Sequence, residues 1–77
     1  GSAYDAKRDY DLAISDYTKA LEINPKYGEA YAGRAASYYH KKEYDRAWQD
    51  VRKAQSLGVH APPGFLKNLQ DASGRKE

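Results

Sequence analysis

Residues 38–54 read YYHKKEYDRAWQDVRKA, and residues 4–20 read YDAKRDYDLAISDYTKA. Set over one another at an offset of 34 residues, Tyr4, Tyr10, Asp11, Ala13, Asp16, Lys19 and Ala20 recur as Tyr38, Tyr44, Asp45, Ala47, Asp50, Lys53 and Ala54. Asp9 recurs as Glu43 with its charge kept. Self-similarity at this period marks a stacked repeat architecture, in which each unit covers the apolar face of its neighbour.

Working outward from that stretch, the apolar positions follow helical spacing. Tyr10, Ala13, Ile14, Tyr17, Ala20 and Leu21 recur at threes and fours, which predicts an amphipathic helix over Tyr10 to Ile23. Asp9 is its expected N-cap, and Ala3 to Lys7 is too short to stand as a helix of its own. Asn24-Pro25 stops the helix, because the residue before a proline is pushed out of the α region. A second helix is expected over Tyr27 to Lys41. One of its faces holds Tyr31, Ala35 and Tyr38, and another holds Ala32, Ala36 and Tyr39.

The third helix, Tyr44 to Leu57, carries the stripe Tyr44, Ala47, Trp48, Val51, Ala54 and Leu57, with Arg46 and Asp50 expected as an i,i+4 pair on the wet face. Gly58 stands where a left-handed residue closes such a helix. Pro62 and Pro63 open a last helix bearing Phe65, Leu66, Leu69 and Ala72. With no strand alternation anywhere, the fold class is all-α. Trp48 reads as partly buried core, with an exposed anchor for another protomer as the alternative.

Composition narrows the function classes. The chain has 77 residues, no cysteine and a net charge of +2 from 13 basic and 11 acidic side chains. That is one small domain, without disulfides or thiolate metal sites. Its charges are mixed, with no basic face to track phosphates, so nucleic acid is not an expected partner. No run approaches the roughly 20 apolar residues of a membrane span, so no membrane partner is expected; the compartment is left open by the sequence, with a soluble, cytoplasmic protein favoured. Gly1-Ser2 reads as a cloning remnant and Arg75-Lys76-Glu77 as a frayed tail.

Catalysis is not expected. His40 and His60 have no nucleophile arranged around them, and most carboxylates fall at helix starts or on wet faces. His40 and Glu43 alone do not make a zinc site. The glycines form no phosphate loop, and no cofactor is implied.

The residues from Gly28 to Ala61 resemble a tetratricopeptide repeat, a helix–turn–helix unit of 34 residues. Tyr31 stands at its opening aromatic position, Ala35 at the small residue that lets the paired helices approach, and Tyr38 at its tyrosine. Ala47, Val51 and Ala54 take the apolar sites of the second helix. Residues 1–27 read as the rear of a preceding unit, 62–74 as a capping helix and 75–77 as tail. Arg34 departs from the usual large apolar residue, in a Tyr-x-x-Arg pattern similar to that of bacterial members, and Val59 replaces the closing proline. The turns Lys7-Arg8-Asp9 and Lys41-Lys42-Glu43 lack the family's glycine, which makes a continuous helix through either less unfavourable.

The resemblance implies a non-catalytic module that holds a peptide or partner helix in a concave groove. Projected onto this chain, the groove is Glu29, Ala32, Gly33, Ala36, Tyr39 and His40, joined by Leu66, Lys67, Gln70 and Ser73. Ala32, Gly33 and Ala36 are small enough for a ligand backbone to come close, and Tyr39 is an apolar shelf or a cover for a neighbouring helix. Gly33 stands where a carboxylate-clamp asparagine is expected and Glu29 has the wrong charge, so a clamp for acidic C-termini is not implied. Stacked repeats need about three units for stability. An incompletely covered Tyr10–Leu21 face therefore points to a homo-oligomer, formed by stacking or by helix exchange across the glycine-free turns.

Overall fold

The computed structural model describes residues 3–74, with side chains from Arg8 onward. The expectations for Gly1-Ser2 and for 75–77 lie outside the described residues. Four helices follow in order: α1 (Ala3–Ile23), α2 (Gly28–His40), α3 (Tyr44–Ser56) and α4 (Pro63–Ser73). Among the described residues there is no strand, and no helix is long and apolar enough to cross a membrane.

α1 departs from expectation. It runs as one helix of 21 residues through Lys7, Arg8 and Asp9, so Asp9 is an interior helical residue and not a cap. Lysine and arginine are good helix formers, and without glycine nothing favours a break here. The helix stops as foreseen at Asn24-Pro25. The Asn24 N–H donates to the Ala20 carbonyl at 2.8 Å, and its side-chain oxygen accepts from the Lys26 N–H at 3.2 Å.

The second turn folds differently. α2 ends in a Schellman motif, with the Lys42 N–H donating to the Tyr39 carbonyl and the Glu43 N–H to the Tyr38 carbonyl, each at 2.9 Å. Lys42 is left-handed at φ 66°, alone in this among the described non-glycine residues. α3 closes by the same motif around Gly58 at φ 86°, where the Val59 N–H donates to the Ala54 carbonyl at 2.9 Å. Val59 then folds back on the start of α2: a side chain at Gly28 would meet its Cγ2 at 2.7 Å.

α2 packs against both α1 and α3, and α4 lies against α3. The core is Ala35, Ala47, Trp48, Val51 and Leu69, with Tyr38, Tyr39, Tyr44, Phe65 and Leu66 packed around it. Trp48 is 2% exposed and its indole N–H donates to the Ser73 Oγ at 3.0 Å, so it is core and not a surface anchor. Asp50 is buried as well and does not form the wet-face pair with Arg46, which instead reaches Glu43 at 3.5 Å.

Candidate groove and the polar and aromatic ties beside it

Two side-chain systems hold the helices in register. The first centres on Arg34, which stands where an apolar residue was expected. Its Nε and Nη2 each donate to the Asp50 carboxylate at 2.8 Å, a bidentate tie between α2 and α3. Its Nη1 donates to the Thr18 hydroxyl of α1 at 3.3 Å, and that hydroxyl donates to the Ile14 carbonyl at 2.7 Å. The guanidinium also lies over the rings of Tyr31 and Tyr38, at 5.4 and 5.9 Å from their centroids. Hydrogen bonding to Asp50 raises the Arg34 pKa against the opposing effect of burial, so the charge is fixed. One arginine thus joins three helices, and no buried polar side-chain atom among the described residues lacks a partner.

The second system is aromatic. The His40 ring stacks on Tyr10 of α1 with centroids 4.7 Å apart and planes within 8°. Tyr39 meets His40 at 5.4 Å and Phe65 of α4 at 5.5 Å, both edge-on, and lies tilted to Tyr44 at 6.0 Å. The run Tyr10–His40–Tyr39–Phe65 therefore crosses from α1 over α2 to α4. Beside it Lys41 pairs with Asp11 and, at 3.3 Å, with Glu43; hydrogen bonding to Asp11 is the main cause of its raised pKa.

Against this frame the expected groove residues divide. Glu29, His40 and Lys67 are exposed, while Ala32, Ala36, Tyr39, Leu66 and Gln70 are half-buried. Tyr39 is largely a cover for Phe65 and Tyr44. Ser73 is occupied by the Trp48 indole. Gly33 does not offer open space: a side chain there would run into the ring of Tyr17, with Cε1 at 2.8 Å, and that ring sits where a ligand backbone was expected. A shallow cavity of about 340 Å³ lies elsewhere, lined by Lys42, Glu43, Tyr44, Asp45, Arg46 and Ser73, and touches the expected groove only at Ser73. Among the described residues no three metal-ligating side chains come together.

Sequence reasoning missed the Arg34–Asp50 tie. The signal was present: a charged residue on an apolar repeat position, and an aspartate three residues beyond the buried Ala47.

Two family models described as tetratricopeptide repeat match residues 1–27 and 16–49. Small glutamine-rich tetratricopeptide repeat-containing protein 2 of Saccharomyces cerevisiae is 42% identical over 84% of this chain and 20% of its own length. Human DnaJ homolog subfamily C member 7 is 37% identical over 87% of the chain and 14% of its own length. Hsp70-Hsp90 organizing protein of Triticum aestivum is 38% identical over 75% of the chain and 10% of its own length. The chain thus spans a fifth or less of these curated relatives. They are eukaryotic, and the expectation of a bacterial member finds no support in them. No solved structure matches the chain significantly.

Proposed function

Because the chain belongs to the tetratricopeptide repeat family, we propose that its four helices act as a non-catalytic protein-interaction module. The contact surface in this reading runs along α2 and α4: Glu29, Ala32, Ala36, Tyr39 and His40, with Leu66, Lys67 and Gln70. Gly33 takes part only through the Tyr17 ring that covers it. The observation that carries the reading is the aromatic run from Tyr10 through His40 and Tyr39 to Phe65. It offers a part-exposed apolar shelf at the end of α2, with the exposed Glu29 at the start of that helix and Lys67 on α4. Aromatic anchors with charged neighbours are the usual makings of a peptide-binding surface.

The wheat relative is, by its name, an organizing protein of Hsp70 and Hsp90. In this chain Gly33 and Glu29 still argue against a clamp on an acidic C-terminus. Fluorescence anisotropy with a panel of extended peptides tests both points. Binding that Glu29→Ala and Lys67→Ala weaken supports the groove, and binding indifferent to both refutes it. Saturable micromolar binding of an acidic C-terminal tail overturns the argument against a clamp.

A second reading is self-association through the Tyr10–Leu21 face. It is favoured by the straight course of α1 through Lys7–Asp9, which leaves the Ala13–Ala20 side without a helix over it among the described residues; α2 covers the rest of the face, with Leu21 buried, the Tyr17 ring against Gly33 and Tyr10 stacked on His40. A light-scattering mass that stays at 8.7 kDa on concentration removes this reading.

A further inference from the structure

The internal repeat supplies its own template for what is missing from one flank of α1. At the 34-residue offset α3 corresponds to α1, and α4 corresponds to α2. α3 has helices on two flanks, α4 on one and α2 on the other. α1 has α2 where α3 has α4. The flank of α1 that corresponds to the α2-covered flank of α3 carries no helix among the described residues.

Burial follows that difference. Ala47 and Ala54 on α3 are 0–1% exposed, whereas their counterparts Ala13 and Ala20 are only half-buried; Tyr17, the counterpart of the buried Val51, has its ring against Gly33 of α2. The polar counterpart is sharper. Asp50 is 5% exposed and held by two hydrogen bonds from Arg34. Asp16, the same residue one repeat earlier, is exposed and forms no ion pair among the described residues. α1 also continues as a helix through Lys7–Asp9, so its own backbone does not turn back over this flank.

We propose that the Ala13–Asp16–Ala20 flank of α1 is a docking site for a partner helix of α2's pattern, lying antiparallel to α1 and bringing an arginine to Asp16. Covering the apolar positions removes water from the Asp16 carboxylate, which then needs a cation. The planar fork of arginine meets a carboxylate bidentately, as lysine does not. The pattern required is the one α2 uses on α3: an aromatic, an arginine three residues on, a small residue beside it and an aromatic three further, as in Tyr31, Arg34, Ala35 and Tyr38. A second folded copy does not meet the requirement, because its Arg34 is already committed to its own Asp50.

The test is titration of the full chain with a stapled helical peptide carrying the sequence of residues 28–41, followed by backbone NMR. Saturable binding is expected, with shifts at Ala13, Asp16, Tyr17 and Ala20. Asp16→Asn should weaken it about tenfold or more, as loss of one partner of a buried charge pair does. Arg34→Gln in the peptide should do the same, and the two changes together should cost little beyond either alone. Since Asp16 is exposed, its variant should keep the unfolding midpoint of the parent chain. Absence of binding overturns the proposal, as do shifts confined to the α2–α4 groove, or two losses that simply multiply. So does a sedimentation result showing that the free chain is already a dimer through this face.

Discussion

Replacing Lys42 and Arg8 by glycine, one at a time, should move stability in opposite directions, although the two residues occupy the same place in the repeat. Lys42 is held at φ 66°, and a non-glycine residue in the left-handed region costs about 1–2 kcal/mol. Glycine removes that cost but enlarges the unfolded ensemble, which offsets about 0.4–1 kcal/mol. Lys42 is exposed, so its side chain takes little packing with it. The expected net gain for Lys42→Gly is about 0.5–1 kcal/mol, or about 2–8 °C in Tm for a domain of this size. Arg8 is an exposed residue inside α1, and glycine there forfeits helix propensity, a loss of about 0.5–1 kcal/mol. Urea unfolding followed by circular dichroism reads both, and unchanged m-values keep the comparison within one transition. If Lys42→Gly is neutral or destabilising, or Arg8→Gly stabilises, the contrast drawn between the two turns is wrong. Gly58 supplies the internal reference, since α3 already closes with glycine in the same motif.

Arg34→Leu should destabilise by about 3–5 kcal/mol, because it strands the buried Asp50 carboxylate; the double variant with Asp50→Leu should recover most of that in the same urea experiment. Leu69→Ala removes a fully buried side chain of α4, with an expected cost of about 2–5 kcal/mol. Hydrogen exchange should then accelerate in α4 before α2, and uniform acceleration would contradict a local role. Gly33→Leu should cost about 1–3 kcal/mol by forcing the Tyr17 ring aside. A smaller penalty in a Tyr17→Ala background is the check on that cause.

The all-α architecture was legible from spacing alone, because helix periodicity depends on local pattern. The stops at Asn24-Pro25 and Gly58 were legible for the same reason, as each residue carries its backbone preference with it. What spacing could not decide was the pair of glycine-free turns. Lys7-Arg8-Asp9 and Lys41-Lys42-Glu43 are chemically alike, yet only the second turns. The difference lies in what the turn brings together: α2 onto α3, with Lys41 tied to Asp11 and Glu43. Long-range packing outweighs a local penalty there, and α1 has no described helix upstream to repay it. The site was less legible than the fold. Gly33 was read as room for a ligand, but its lack of a side chain serves Tyr17. Asp50 was assigned to water because an i,i+4 arginine lay nearby, and its true partner sits 16 residues away on another helix.

The chain contains a single tryptophan, and its indole N–H is spent on a serine in the last turn of the last helix. Trp48 is therefore an optical gauge of the core it shares with Ala35 and Leu69, and its indole N–H ties that gauge to the seam between α3 and α4. Its emission should redden when α4 lifts away, even while the other three helices stay folded. Circular dichroism weights all four. Heated or titrated, the same sample yields two curves, and the gap between them measures how independently the terminal helix comes and goes.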